Sequence, residues 1–346
     1  MGAAFKGYGK GFAETLLNTT SNSFIGLFIG ILATSLVQSS STTTSIVVGL
    51  VASGVITIGN AIHIMMGANI GTTVTNTLVS MGHITRREEF KRAIAGATVH
   101  DFFNLICVAI MFPLELATGF LQKLATHLSG AFVFIGGVKF TSPVKAITTP
   151  TVKFIQKFFT STIDVPYNLG NTVVLIISFM FLFVSLYYIV KIMRSIVISR
   201  IETALHNVLG GSGLIAILAG LVFTVIVQSS SITTSLLIPL IGAGILTVDL
   251  AFPITMGANI GTTATAILAS FATGNISAIT IAFVHFLFNC IGVLCIYPIP
   301  VFRKIPIFLA NKLGNLAFRK RRYAIGYVIG LFFVLPTILI VISKMF

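Results

Sequence analysis

Two polar clusters interrupt otherwise apolar sequence, and each occurs twice. QSSS stands at residues 38–41 and 228–231, and GANIGTT follows at 67–73 and 257–263. These residue types suit ion binding. Serine hydroxyls donate hydrogen bonds without adding charge. Gln and Asn side chains, Thr hydroxyls and bared carbonyls supply the oxygens a small hard cation needs. Where such a cluster opens a helix, free N–H groups and the positive dipole end favour an anion. One site can therefore hold an oxyanion and a cation together. The candidate oxyanion contacts are Ser39, Ser40, Ser41, Ser229, Ser230 and Ser231. The candidate cation ligands on these motifs are Gln38, Asn69, Thr72, Thr75, Gln228 and Asn259.

Two further pairs recur: His100 with His285, and Asn104 with Asn289. Buried polar groups often only hold structure together, so His100, His285 and Asn289 are read as supports packed behind the site. Asp101 follows His100, whereas Phe286 occupies its place in the second copy. An acid inside a membrane span is costly and usually functional, which makes Asp101 a candidate cation ligand. Asp249 reads as a cap at the start of a span. No GxxxxGK[ST] is present, and no His, Cys or acid cluster fits a metal enzyme. Neither enzymatic chemistry nor a cofactor is expected. Cys107, Cys290 and Cys295 read as packed thiols without a disulfide framework.

The motifs belong to an internal repeat. Residues 38–75 and 228–265 align without a gap at an offset of 190 (228 less 38), with 21 of 38 positions identical. The match resumes at His100 and His285 with an offset of 185, so the second copy is five residues shorter between the blocks. The longer connector, HITRREEFKR, is basic, while its counterpart around TGNIS has no charge. By the positive-inside rule the first is cytoplasmic and the second external. The copies then have opposite orientations, as in many secondary transporters.

The elements that must position these residues follow from composition. Of the residues, 55% are hydrophobic and 9% charged, against about 25% charged in a soluble domain. No Asp, Glu, Lys or Arg lies between Glu14 and Arg86, and only Asp249 between Glu202 and Arg303. Stretches this long must enter the membrane repeatedly, since one span takes about 20 residues. The net charge is +14, but the basic residues cluster at the ends of apolar segments. That pattern fits anionic lipid and excludes nucleic acid as a partner.

The expected fold is therefore an all-α integral membrane protein with an inverted-topology repeat. Each copy has a re-entrant hairpin with QSSS at its tip and a transmembrane helix broken at GANIGTT. Residues 1–23 form an external N-terminal segment, without a signal peptide. Repeat 1 occupies 24–114, followed by an external amphipathic linker at 115–171. A span and a cytoplasmic amphipathic segment fill 172–212. Repeat 2 occupies 213–302, and a basic cytoplasmic segment with a final span closes the chain at 303–346. The full spans are expected at 93–114, 172–191, 279–300 and 323–343. With no Trp, interface anchoring falls to Tyr187, Tyr188, Tyr297, Tyr323 and Tyr327.

VQSSSTTTSIVV, MGANIGTTVTN, FKRAIAGATVHDFFN and the second QSSS/GANIGTTATAIL pair resemble the type II sodium-dependent phosphate cotransporters. The resemblance covers roughly residues 20–115 and 210–300, with a weaker stretch near 141–160. It implies sodium-driven uptake of inorganic phosphate across a plasma membrane, with phosphate at the QSSS tips and sodium ions beside them. It further implies one sodium site from Gln228, Ser229, Thr262 and Thr265, and contributions to another from Thr77, Asn104 and the loop at Ala258. Ala258 replaces the Ser of larger members. Compared with animal members, the sequence starts without the membrane helix that precedes their first repeat and has a short linker. The family members with Asp at the position of Asp101 are the electrogenic ones. Two other readings stay open: a carrier of sulfate or a dicarboxylate with the same architecture, and a non-transporting scaffold. A homodimer is also left open.

Overall fold

The computed structural model describes residues 17–135 and 212–343, together with Glu14 and scattered positions between 150 and 184. Every described element is a helix. Most of the expected external segment 1–23, most of the linker beyond residue 135, half of the expected span 172–191 and nearly all of the segment that follows lie outside the described residues.

The first copy opens with α1 (Ser23–Val37) and α2 (Ser40–Ser53), joined through Gln38 and Ser39. Asn22 starts α1 by accepting the Phe24 and Ile25 N–H groups, and Ser39 starts α2 by accepting that of Thr42. At 1.5 Å per residue each helix is about 21–23 Å long, short of the ~30 Å hydrocarbon core. The second copy repeats the pair as α7 (Gly213–Val227) and α8 (Ser230–Ala243, irregular at Leu236). Next come α3 (Ile58–Gly71) and α4 (Val74–Ser80) in copy one, and the single helix α9 (Val248–Thr273) in copy two. The long helices α5 (Arg87–Thr118) and α10 (Ile276–Ile296) complete the matched region. Asp249 sits in the first turn of α9, where Thr247 is the capping residue.

Sequence reading expected a helix unwound at GANIGTT in both copies, and the structure corrects this. α9 passes through residues 257–263 without a break. Copy one shows only a tight turn between α3 and α4, where the Thr73 N–H reaches Ile70 O, three residues back, at 3.3 Å. The Thr hydroxyls bond back to the helix rather than opening it: Thr72 Oγ1 donates to Ala68 O at 2.8 Å and Thr262 Oγ1 to Ala258 O at 2.9 Å. The glycines have a different task. A Cβ on Gly67 would lie 2.0 Å from Leu27 O, and one on Gly257 1.9 Å from the equivalent Ile217 O. Reciprocally, a Cβ on Gly30 would lie 2.1 Å from Ile64 O, and one on Gly220 2.1 Å from Ile254 O. GANIG is thus a small-xxx-small contact that brings α3 against α1 and α9 against α7.

The copies interlock. α2 packs on α9 and α10, while α8 packs on α4 and α5. The ends of α2 and α8 are tied at equivalent carbonyls: Asn275 Nδ2 donates to Ala52 O at 3.0 Å, and Arg92 Nε to Gly242 O at 2.9 Å. The pattern continues past the matched sequence. α6 (Phe120–Ile135) follows copy one and packs on α10, and α11 (Pro300–Arg319) follows copy two and packs on α5. Glu115 anchors α6 by accepting the Leu121 and Gln122 N–H groups at 2.6 and 3.3 Å. One apolar core runs through both copies, with Met65, Met66, Phe103, Phe252 and Phe288 buried in it.

α5, α10 and α12 (Arg322–Ile342) are long and apolar enough to cross a membrane; α1, α2, α7 and α8 are shorter apolar helices. Leu214, Leu218 and Val222 on α7 are exposed at helical spacing, as suits a lipid-facing stripe. Two expectations change here. The Tyr327 hydroxyl is buried inside the protein rather than anchored at an interface. Cys295 is exposed rather than packed.

Candidate ion-binding site

Both hairpin turns use an uncommon backbone. Gln38 and Gln228 have φ of 54° and 58°, the only non-glycine residues with positive φ among those described. Glycine fits that region freely, whereas another residue costs about 1–2 kcal/mol. Ser39 and Ser229 are the N-caps of α2 and α8, leaving Ser40 and Ser230 as the first helical residues. Both of the latter are buried. The two turns touch: Ser41 Oγ donates to Gln228 O at 3.1 Å. The two helix N-terminal turns are thus in contact, with Ser41 the serine that makes the bond. Ser231 lies one residue farther into α8.

The Gln228 carboxamide donates to Val225 O at 2.8 Å and accepts from Thr265 Oγ1 at 2.8 Å. Of the first implied sodium set, Thr265 is bonded to Gln228 and Ser229 follows Gln228 in the same turn, while Thr262 lies one turn before Thr265 on α9 with its hydroxyl on Ala258 O. The second set is more dispersed. Thr77 Oγ1 bonds back to Thr73 O at 3.4 Å, and no hydrogen bond joins it to Asn104.

Asn69, Asn104 and Asn259 instead join the supports in a buried network across the repeat. Asn104 Nδ2 donates to Asn69 O at 2.9 Å, and Asn259 Nδ2 to Asn104 Oδ1 at 2.8 Å. His100 Nε2 pairs with Asn259 Oδ1, and His285 Nε2 with Asn69 Oδ1 at 3.3 Å. Asn289 Nδ2 also reaches Asn69 Oδ1 at 3.3 Å. Each histidine therefore holds the GANIG asparagine of the opposite copy.

The remaining candidates stand apart from these contacts. Gln38 is exposed, and the Thr75 hydroxyl is buried without a partner. Asp101 is fully buried, with the Thr73 and Tyr327 hydroxyls as its polar neighbours. Sequence reading missed Tyr327 here, and it missed Asn76, whose Oδ1 accepts Thr234 Oγ1 at 2.8 Å and Ser235 Oγ at 3.4 Å. Asn76 carries no repeat signal because its counterpart is Ala266.

The described residues define a helical protein of membrane type, with much of its interior polar network supplied by two copies of one motif. The model of the Na+/Pi-cotransporter family matches residues 2–140 and 180–294. The chain belongs to that family. Sodium-dependent phosphate transport protein 2B of Homo sapiens is 37% identical to it, over 88% of this chain and 56% of the relative. Sodium-dependent phosphate transport protein 2A of Rattus norvegicus is 35% identical, over 90% of this chain and 59% of the relative. The chain thus spans a little over half the length of these relatives. No solved structure matches it.

Proposed function

We propose that this protein is a sodium-coupled secondary transporter that imports inorganic phosphate across a plasma membrane. The observation that carries this reading is the meeting of two capped helix N-terminal turns, joined by Ser41 Oγ and Gln228 O. Each turn offers helix N-terminal N–H groups and serine hydroxyls, the chemistry that receives an oxyanion. Phosphate would lie against Ser39, Ser40, Ser41, Ser229, Ser230 and Ser231. Sodium would take oxygens from Gln228, Ser229, Thr262 and Thr265, and a second ion those of Thr77 and Asn104. On this reading α1–α2 and α7–α8 are re-entrant hairpins of oppositely oriented copies, the N-terminus is external, and access alternates around a midplane site. The relatives' names favour phosphate over sulfate or a dicarboxylate. The test is uptake of labelled phosphate into proteoliposomes. Accumulation is expected under an inward sodium gradient, and equal uptake with potassium or choline would refute the proposal.

Asp101 adds a prediction. Two sodium ions balance divalent phosphate, and Gln, Ser, Thr and Asn ligands bring no charge. A buried carboxylate favours one more cation, because a bare acid in the membrane is expensive. Transport should then move one net positive charge inward, with about 2.3 kcal/mol of driving force per 100 mV. Uptake at a valinomycin-set negative interior potential should exceed that at zero potential. Asp101→Gly should retain transport and lose the voltage response. A voltage-insensitive wild type would leave Asp101 with a structural role.

A further inference from the structure

The two hairpins have matching residues but unequal bonding. In copy two, Thr224 Oγ1 and Thr233 Oγ1 lie 2.6 Å apart and join α7 to α8. Their counterparts are Thr34 and Thr43. Thr43 and Thr233 both bond their own turns, at Ser39 O and Ser229 O, but only Thr233 also reaches the preceding helix, and the Thr34 hydroxyl is buried without a partner. In copy two, Thr265 holds Gln228. The counterparts Thr75 and Gln38 are apart, one with a buried unpaired hydroxyl and the other exposed. An unpaired buried hydroxyl is a debt that a closed arrangement would remove. The first turn is therefore open at both of the points where the second is fastened.

A third fastening explains which turn is held. Asn76 Oδ1 on α4 lies within hydrogen-bond reach of the Thr234 and Ser235 hydroxyls, which share their protons between it and Ser230 O and Ser231 O of their own turn. The first turn has the same donor types in Thr44 and Ser45, but the residue that would receive them is Ala266. The first two fastenings have equivalent residues in both copies, so sequence does not bias them. The third exists in one copy only.

We propose that Asn76 is a positioning residue that pins the second QSSS turn. It leaves the second turn as the preformed half of the phosphate site, and the first turn as the half that closes on the ion. The role in binding rests on the transport reading above, whereas the pinning does not.

Two measurements test it. Hydrogen–deuterium exchange in nanodiscs should show residues 39–45 exchanging at least ~10-fold faster than 229–235 in the wild type, as expected for a less fastened segment. Asn76→Ala should raise exchange at 229–235 toward that of the first turn and leave 39–45 unchanged. Thr234→Val removes the donor from the other side and should do the same, which guards against a folding defect in either variant. Equal exchange of the two turns in the wild type, or no change in the variants, overturns the proposal whatever the substrate. In the uptake assay each variant should raise the KM for phosphate about 10-fold, with maximal rate within about twofold. The double variant should be no worse than either alone, as for partners in one interaction. Additive KM increases, or a fall in maximal rate alone, would overturn the role in binding. A wild type that takes up no phosphate under a sodium gradient would sink the transport reading, and exchange would still decide the pinning.

Discussion

Ser40→Ala and Ser230→Ala should each weaken phosphate affinity by about 10- to 150-fold while the protein still folds. The range follows from a charge-assisted hydrogen bond worth roughly 1.5–3 kcal/mol. Both residues begin a helix next to the contact between the two turns, both are buried, and among the described residues neither hydroxyl has a hydrogen-bond partner. Removing either oxygen should leave the helices intact, because the caps belong to the neighbouring Ser39 and Ser229. Ser39→Ala differs. It removes the acceptor of the Thr42 N–H and Thr42 Oγ1, so it combines a binding loss with a cap loss of about 0.5–2 kcal/mol. Equilibrium binding of labelled phosphate, alongside thermal melting, separates the two effects. If Ser40→Ala and Ser230→Ala both left affinity unchanged, the turns would be structural and the phosphate site would lie elsewhere.

Much of this arrangement was legible because the chain states it twice. The repeat located both turns and the histidine and asparagine pairs. What escaped was whatever the copies do not share. Asn76 faces Ala266 in the alignment, so comparing copies passes over it. Tyr327 lies on α12, outside the repeat, and only folding brings its hydroxyl beside Asp101. Arg92 was read as one charge of a cytoplasmic connector, yet its guanidinium also closes the end of α8. The extension of the pattern into α6 and α11 was hidden for a related reason. Those helices share a packing position, but α6 carries one lysine while α11 carries four basic residues, so their sequences need not match.

GANIGTT was misread for a physical reason that leads to the largest expected stability effect. Two glycines beside Asn and Thr suggest an unwound segment if glycine is weighed only as a helix breaker. In lipid no hydrophobic force draws helices together, and close approach through small residues takes its place. The second consideration prevails because the glycine spacing matches the helix period, aligning Gly67 with Gly71 and Gly257 with Gly261. Gly71 and Gly261 would put a Cβ 2.5 and 2.6 Å from Ile31 O and Leu221 O, continuing the contact made one turn earlier. Gly67→Ala and Gly257→Ala should therefore destabilise the protein by more than the ~1–3 kcal/mol usual for overpacking. The obstacle in each case is a backbone carbonyl, which no rotamer change can clear. Gly130→Ala is the matched control, since a Cβ there meets nothing within 4 Å, and it should be neutral or stabilise α6 by up to about 1 kcal/mol. Melting temperature and monodisperse yield in detergent provide the comparison. A Gly67→Ala protein that melts with the wild type would mean that α1 and α3 can separate freely, and the small-residue contact would then lose its place as what holds each hairpin to its partner helix.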